Sequence, residues 1–190
     1  AAPAPEAGGA LLAFDTGPGN ALIDDFVTAR TGAPCDRDGA LAAAGHVHRD
    51  RLGSNAVADF LARRPPKSLD REAFAAVGAG VAGLSDADGA ATLTALTADC
   101  VAAARVHLPR PPGRWLVGGG GRLNATLMGR LMEALGAPVE PVEAAGLDGD
   151  MLEAQAFAYL AVRAWRGLPL SAPGTTGCRA PVAGGRISRP

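Results

Sequence analysis

The sequence is poor in aromatic residues, in cysteine and in net charge. Phe, Trp and Tyr make up 4% of its 190 residues, and the formal net charge is −1. A near-neutral chain lacks the basic stripe that a nucleic-acid surface needs, so the composition argues against nucleic acid as a partner. The three cysteines, Cys35, Cys100 and Cys178, lie far apart and form no CxxC pair. A sparse, odd set of this kind predicts reduced thiols in a cytoplasmic protein.

Long hydrophobic runs are also missing. A membrane-spanning helix needs about 20 consecutive apolar residues, and the nearest stretch, residues 151–165, contains Glu153, Gln155 and Arg163. We therefore expect this stretch to be a buried helix, and we expect no membrane as a partner. With 48% hydrophobic residues the chain can bury a substantial core.

Residues 1–10 are dominated by Ala, Pro and Gly, with neither an initiator methionine nor a basic-then-apolar leader. This composition is typical of a loop or linker rather than of a signal peptide. Because a predicted strand follows almost at once, we expect the chain to be truncated upstream and to be part of a longer protein.

The segment 14–20, Phe-Asp-Thr-Gly-Pro-Gly-Asn, is the most informative in the chain. It follows an apolar run at 11–14 that predicts a buried strand, and its Asn20 stands where a helix over 20–31 needs an N-cap. Asp15, Thr16 and two glycines in one turn before a helix suit a phosphate or its metal ion. The structural alternative is a tight turn in which Asp15 and Thr16 only cap backbone groups.

A second glycine-rich turn lies in a predicted βαβ unit. A short strand at 115–117 leads into four glycines, Asn124 caps the next helix, and a strand follows at 139–142. The remaining segments predict helices and a Pro- and Gly-rich tail, so the fold class is α/β with more helix than strand. The other predicted helices cover residues 54–64, 70–77, 85–107 and 151–165.

The four glycines permit two interpretations. Strand, glycines, helix and second strand have nearly the spacing of a dinucleotide-binding fold, which would make the protein an NAD-dependent oxidoreductase. The GxGxxG pattern fails, however, because its third glycine position is Leu123 or Asn124. A nucleotide contact of another kind and a packing turn therefore both stay open.

Five segments resemble, in order, the motifs of the anhydro-N-acetylmuramic acid kinases. Residues 14–20 resemble that family's Phe-Asp-Thr-Gly-Pro-Gly-Asn signature, and residues 92–98 are similar to its Thr-Leu-Thr-Ala-Leu-Thr-Ala helix. The other three are residues 66–74 (Pro-Lys-Ser, then Arg-Glu-Ala-Phe), 117–128 (Val-Gly-Gly-Gly, then Asn and Leu-Met) and 149–158 (Gly-Asp, Glu-Ala, Ala-Phe-Ala). Five ordered motifs are hard to attribute to chance.

The resemblance implies a two-lobe actin/hexokinase-like (ribonuclease H-like) fold, of which residues 11–190 would be the C-terminal nucleotide-binding lobe, helix-rich with a small mixed sheet. It implies a kinase that uses ATP and Mg²⁺ to open 1,6-anhydro-N-acetylmuramate and phosphorylate its O6 in peptidoglycan recycling. A homodimer is implied for the full enzyme. The family's Gly-Thr-Ser-x-Asp-Gly turn and its general-base aspartate are absent from this chain, so the fragment alone is expected to be inactive. A catalytically incomplete nucleotide-binding lobe is the alternative.

The resemblance also assigns roles to residues. Asp15 is expected to contact Mg²⁺, and Lys67 and Arg71 to hold the sugar or a phosphate. Glu153 is expected to orient water or a sugar hydroxyl, although its spacing from Asp150 also fits a capping box at a helix start. The residues expected to contact the nucleotide or its phosphates are Asp15, Thr16, Gly17, Gly19, Gly118, Gly119, Gly120 and Asn124.

Overall fold

The computed structural model describes residues 11–52, 55–186 and 188; the predicted linker at 1–10 and the predicted helix start Ser54 lie outside them. The described residues form helices α1 (Ala21–Thr31), α2 (Ala40–Ala43), α3 (Asn55–Ala62), α4 (Ala75–Val81), α5 (Asp86–Ala103), α6 (Ala125–Leu135), α7 (Leu152–Trp165) and α8 (Pro173–Thr176). The strands are β1 (Trp115–Val117), β2 (Val139–Pro141), β3 (Pro169–Ser171) and β4 (Val182–Ala183). Turns of 3-10 helix lie at Arg37–Gly39, Arg49–Leu52, Arg71–Phe74, Ala104–His107, Gly120–Leu123 and Val142–Ala145.

The strands form two separate two-stranded sheets. β1 and β2 are parallel, with Trp115 opposite Val139 and Val117 opposite Pro141, and α6 connects them. This confirms the predicted βαβ unit and the prediction of a helix-rich α/β protein, but in place of one small mixed sheet the described strands form two sheets. β3 and β4 are antiparallel. The sequence did not indicate them, because their Pro- and Gly-rich surroundings lack an alternating apolar pattern.

Several helix ends coincide with the capping residues in the sequence. Gly32 and Gly136 follow α1 and α6 with φ of 74° and 60°, and each donates its N–H to the helix's last turn. Glycine reaches this left-handed conformation without a Cβ clash. At the start of α5, the Ser85 hydroxyl accepts the backbone N–H of Asp88. These boundaries are as predicted, since each depends on a local contact.

Helix α5 lies at the centre of the fold and is buried on all sides. Eleven of its 18 residues are buried, including ten in succession from 89 to 98. On one side it packs with α1, α3 and α4 around Ile23, Phe60 and Phe74. On another side it meets α6 and the parallel sheet around Leu131. Ala, Gly and Thr make up most of α5, and their small side chains let several helices approach it closely.

Two predictions about buried segments are wrong. Residues 11–14 form no strand; Leu11 is 66% exposed, and Ala13 donates its backbone N–H to the carbonyl of Gly174. Helix α7 has no buried residue, and Phe157 and Trp165 are 66% and 78% exposed. Apolar composition leads to burial only where another surface covers the helix, and the described residues cover α7 only in part. No helix in the described part of the chain is both long and apolar enough to cross a membrane.

Two glycines of α4 give a matched test of this packing. A Cβ added to Gly80 would overlap the backbone carbonyl of Arg51, whereas a Cβ on Gly78 would have no atom within 4 Å. Gly80→Ala should therefore lower the free energy of unfolding by about 1–3 kcal/mol, because rigid backbone must move. Gly78→Ala should raise it by about 0.5–1 kcal/mol, because alanine favours the helix. Urea unfolding of both variants measures this; equal effects would show that α4 does not pack on Arg51.

Candidate functional site

The first glycine-rich turn is attached to the centre of the fold. The Thr97 hydroxyl on α5 donates to the carbonyl of Gly19, with 2.7 Å between the oxygens. A Cβ on Gly17 would lie 2.6 Å from the Cβ of Cys100. Burial raises the pKa of the Cys100 thiol to about 11. Gly19 has φ of 58°, where a side chain would be strained. Packing and backbone shape thus explain both glycines, and their contact with phosphate stays a prediction.

Asp15 ties the same turn to the loop that follows α3. Its backbone N–H donates to the carbonyl of Lys67 at 3.0 Å, and its Oδ2 accepts the N–H of Leu69 at 2.7 Å. The Asp15 side chain is nevertheless exposed, and the half-buried Thr16 follows it. Asp15 lines a cleft of about 300 Å³ together with Pro18, Leu69 and Asp70. The residue therefore shapes the turn and also presents a carboxylate to solvent.

Lys67 has a structural role that the sequence did not indicate. Its Nζ donates to the carbonyls of Phe60 and Leu61, at the end of α3, and lies 4.6 Å from the centre of the Phe60 ring. A cation there satisfies carbonyls that the helix leaves free. Burial lowers the pKa of Lys67. These contacts account for Lys67 without a substrate, and the side chain of Arg71 lies outside what the structure describes.

The second glycine-rich turn, residues 118–121, contains glycines with different reasons to be there. A Cβ on Gly118 would lie 2.8 Å from Cδ2 of Leu152, so this glycine lets α7 approach β1. Gly119 has φ of 66° and open space around it. A Cβ on Gly120 would meet its nearest neighbour, Nδ2 of Asn20, at 4.0 Å. Gly120 is not among the glycines with positive φ, and it faces open space rather than packing against the protein.

The two turns lie side by side, and Asn20 stands between them. Asn20 precedes α1 as predicted, but its side chain makes no capping hydrogen bond. Instead its amide lies next to Gly120 and Gly121 of the other turn. A largely apolar cleft of about 460 Å³ separates the turns. Its lining includes Gly19, Asn20, Thr97, Trp115, Val117, Gly118, Gly121 and Leu127.

A second cleft, of about 520 Å³, lies on the other side of the glycine loop. Gly119 and Gly120 line it from the loop, and Asp150 and Glu153 line it from the start of α7. The predicted capping box is wrong: Oδ1 of Asp148 accepts the N–H groups of Asp150 and Met151, and α7 has no side-chain cap of its own. Capping therefore does not explain Glu153, which instead lines the cleft.

Asp150 pairs with Arg122, a residue that motif spacing did not single out. Nη2 of Arg122 lies 2.6 Å from Asp150 and Nε lies 2.8 Å from Glu143. Nη1 donates to the carbonyl of Gly119 at 3.0 Å. The Arg122 guanidinium holds the pKa of Glu143 below its usual value. An arginine after four glycines was the only signal in the sequence, and its partners come 21 and 28 residues later.

Asn124 acts as the predicted cap of α6. Its Oδ1 accepts the N–H of Leu127 at 2.9 Å, and the residue is 7% exposed. The structure thus gives Asn124 a complete structural explanation, and its contact with a nucleotide stays a prediction. Within the described residues, no three His, Cys, Asp or Glu side chains come close enough together to hold a metal ion.

The described site combines two glycine-rich turns, adjoining clefts and carboxylates on an α/β scaffold, an arrangement that suits a nucleotide. The chain matches the family model for anhydro-N-acetylmuramic acid kinase over residues 4–189. It belongs to that family. The match favours the kinase over the dinucleotide-binding interpretation of the glycine loop.

Curated relatives from three bacteria agree with this assignment. The chain is 60% identical over 183 residues to the anhydro-N-acetylmuramic acid kinase of Acidiphilium cryptum, covering 96% of this chain and 51% of the relative. It is 58% identical to that of Roseobacter denitrificans (98% and 49%) and 56% identical to anhydro-N-acetylmuramic acid kinase 1 of Jannaschia sp. (98% and 50%), each over 186 residues. The chain thus spans about half the length of these relatives.

Substitutions at Asp15 can separate its structural bond from its charge. Asp15→Ala removes the acceptor for the Leu69 N–H and should lower the free energy of unfolding by about 1–3 kcal/mol. Asp15→Asn keeps an oxygen acceptor and should retain most of that stability. Chemical denaturation of both variants measures the difference; equal losses would show that the Leu69 bond does not stabilise the turn.

Proposed function

We propose that this chain is the C-terminal, nucleotide-binding lobe of an ATP-dependent kinase with a two-lobe, ribonuclease H-like fold. The kinase opens 1,6-anhydro-N-acetylmuramate with water and phosphorylates O6, giving N-acetylmuramate 6-phosphate for peptidoglycan recycling in the cytoplasm. One observation carries the proposal: the two turns predicted to contact the nucleotide, which are about 100 residues apart in sequence, lie side by side, with one cleft between them and a further cleft beside each. Membership of the family supports the choice of sugar.

In this proposal the first turn holds the phosphates and their metal. Asp15 presents an exposed carboxylate, with the hydroxyl of Thr16 and the backbone of Gly17 and Gly19 beside it. Asp15 and Asp70 line the same cleft. Mg²⁺ at nucleotide sites takes one or two carboxylates and completes its shell with phosphates and water, so this donor set fits a metal that arrives with ATP. When bound, the ion neutralises charge on the transferring phosphoryl group.

The second turn and α7 form the rest of the site. Gly120 leaves room for the adenosine, where any side chain would take up space, while Gly118 and Gly119 give the loop its shape. Glu153 faces this loop across the cleft of about 520 Å³ that both line, and it orients the attacking water or a sugar hydroxyl. The general base comes from the half of the enzyme that the relatives have in addition, which also supplies the remaining phosphate contacts. The full enzyme is a homodimer.

The alternative is a nucleotide-binding lobe without catalysis. It shares the glycine-rich turns and their clefts with the kinase and differs from it in having no turnover.

Activity should depend on the second half of the enzyme. The 190-residue chain alone should show no turnover. A chimera in which it replaces the matching half of the Acidiphilium cryptum relative should release ADP only when 1,6-anhydro-N-acetylmuramate and Mg²⁺ are present. A coupled ADP-release assay measures both proteins. Turnover by the chain alone would overturn the two-lobe proposal, and a chimera that binds ATP without turnover would establish the non-catalytic alternative.

Gly120 and Gly119 form a matched pair for nucleotide binding. Gly120→Ala adds a methyl group at ordinary φ in open space, so stability should hold while the affinity for ATP falls at least about tenfold, or 1.4 kcal/mol. Gly119→Ala should instead lower stability by about 1–2 kcal/mol, because its φ is positive. Calorimetric titration with ATP and a thermal melt of each variant separate the two effects. Unchanged ATP affinity in Gly120→Ala would remove the adenosine from this loop.

A further inference from the structure

The side chain of Arg122 is only 6% exposed, and each of its three nitrogens donates a hydrogen bond within the protein. Nε pairs with Glu143, Nη2 with Asp150, and Nη1 donates to the carbonyl of Gly119. These partners lie on three segments: the glycine loop after β1, the 3-10 turn after β2, and the residues just before α7. One guanidinium therefore joins three parts of the site.

The surrounding backbone is shaped for this side chain. A Cβ on Gly149 would overlap Nε of Arg122 and would lie 2.6 Å from both its Cζ and Oε1 of Glu143. Only glycine at 149 leaves room for the guanidinium and its carboxylate partner together. Such shape complementarity fixes the side chain in one conformation and limits its freedom to turn toward a ligand.

Charge leads to the same conclusion. Arg122 faces two carboxylates, Glu143 and Asp150, and both are within hydrogen-bond distance. Its positive charge is therefore already compensated, and its strong paired donors are occupied. An arginine beside a glycine-rich loop would ordinarily be expected to bind phosphate. Here the geometry assigns it to the protein instead.

We propose that Arg122 is a positioning residue, which holds the glycine loop and the start of α7 at a fixed separation so that Glu153 faces Gly119 and Gly120 across the cleft. It does not bind the anionic ligand itself. The role of Glu153 rests on the proposed kinase function, whereas the coupling of the two segments does not.

The coupling is tested first without any ligand, by hydrogen–deuterium exchange on the 190-residue chain. Arg122→Met should speed exchange in residues 118–123 and also in 149–155, while α5 keeps its protection. Arg122→Lys, which keeps the charge but not the three-way fork, should show the same pattern more weakly. Arg114→Met is the matched control. Arg114 also pairs with a carboxylate, Glu140, with 3.8 Å between Nη1 and Oε2, but neither residue lines this cleft. Unchanged exchange in either segment for both Arg122 variants would overturn the proposal.

The kinetic test uses the chimera with the Acidiphilium cryptum half. Arg122→Lys should lower kcat about 10²-fold, as expected for misplacement of a reacting group, and should change the KM for ATP less than about threefold. Adding Glu153→Gln should then cost little more, because both changes disrupt one unit. A raised KM with kcat intact would show that Arg122 binds phosphate, and additive losses would show that it does not act through Glu153. A wild-type chimera without turnover would refute the kinase function, and hydrogen exchange would still decide the coupling.

Discussion

Close packing around helix α5 determines where helices α1, α2, α4 and α6 lie. A helix can be buried on every side only if its neighbours approach closely, and the Ala, Gly and Thr residues of α5 permit this. Its three buried threonines each have a hydrogen-bond partner: Thr94 donates to Ala90, Thr92 accepts from His48, and Thr97 donates to Gly19. The last of these bonds joins the core to the site. The first glycine-rich turn is thus held by a helix that also packs against α6, the helix following the second turn.

Features that depend on neighbouring residues could be predicted from the sequence. The ends of α1 and α6 at Gly32 and Gly136, the Ser85 and Asn124 caps, and the parallel pair around α6 all follow from contacts a few residues apart or from a well-known unit. Residues 11–14 and α7 could not be predicted in this way. Their apolar side chains indicate a preference for burial, but burial requires a distant surface, which spacing along the chain does not reveal.

The candidate site shows the same division. Its glycines were identified, yet two of them, Gly17 and Gly118, are needed for packing against Cys100 and Leu152. The partners of Asp150 and Lys67 were not foreseen. Asp150 pairs with Arg122, and Lys67 donates to carbonyls at the end of α3. In both cases the free-energy cost of desolvating the charged group is offset, by an opposite charge or by free carbonyls. Sequence shows which groups are available, and the fold decides how they pair.

The space that Gly149 leaves for Arg122 has an evolutionary consequence. While the guanidinium occupies that space, any other residue at 149 would collide with it, so replacing the glycine carries a cost even though its own backbone does not require it. If Arg122 is first replaced by a shorter side chain, the constraint on position 149 disappears. The order of the two substitutions therefore matters. A protein that has lost the arginine could accept other residues at 149. Restoring the arginine would then produce a collision with the side chain at 149.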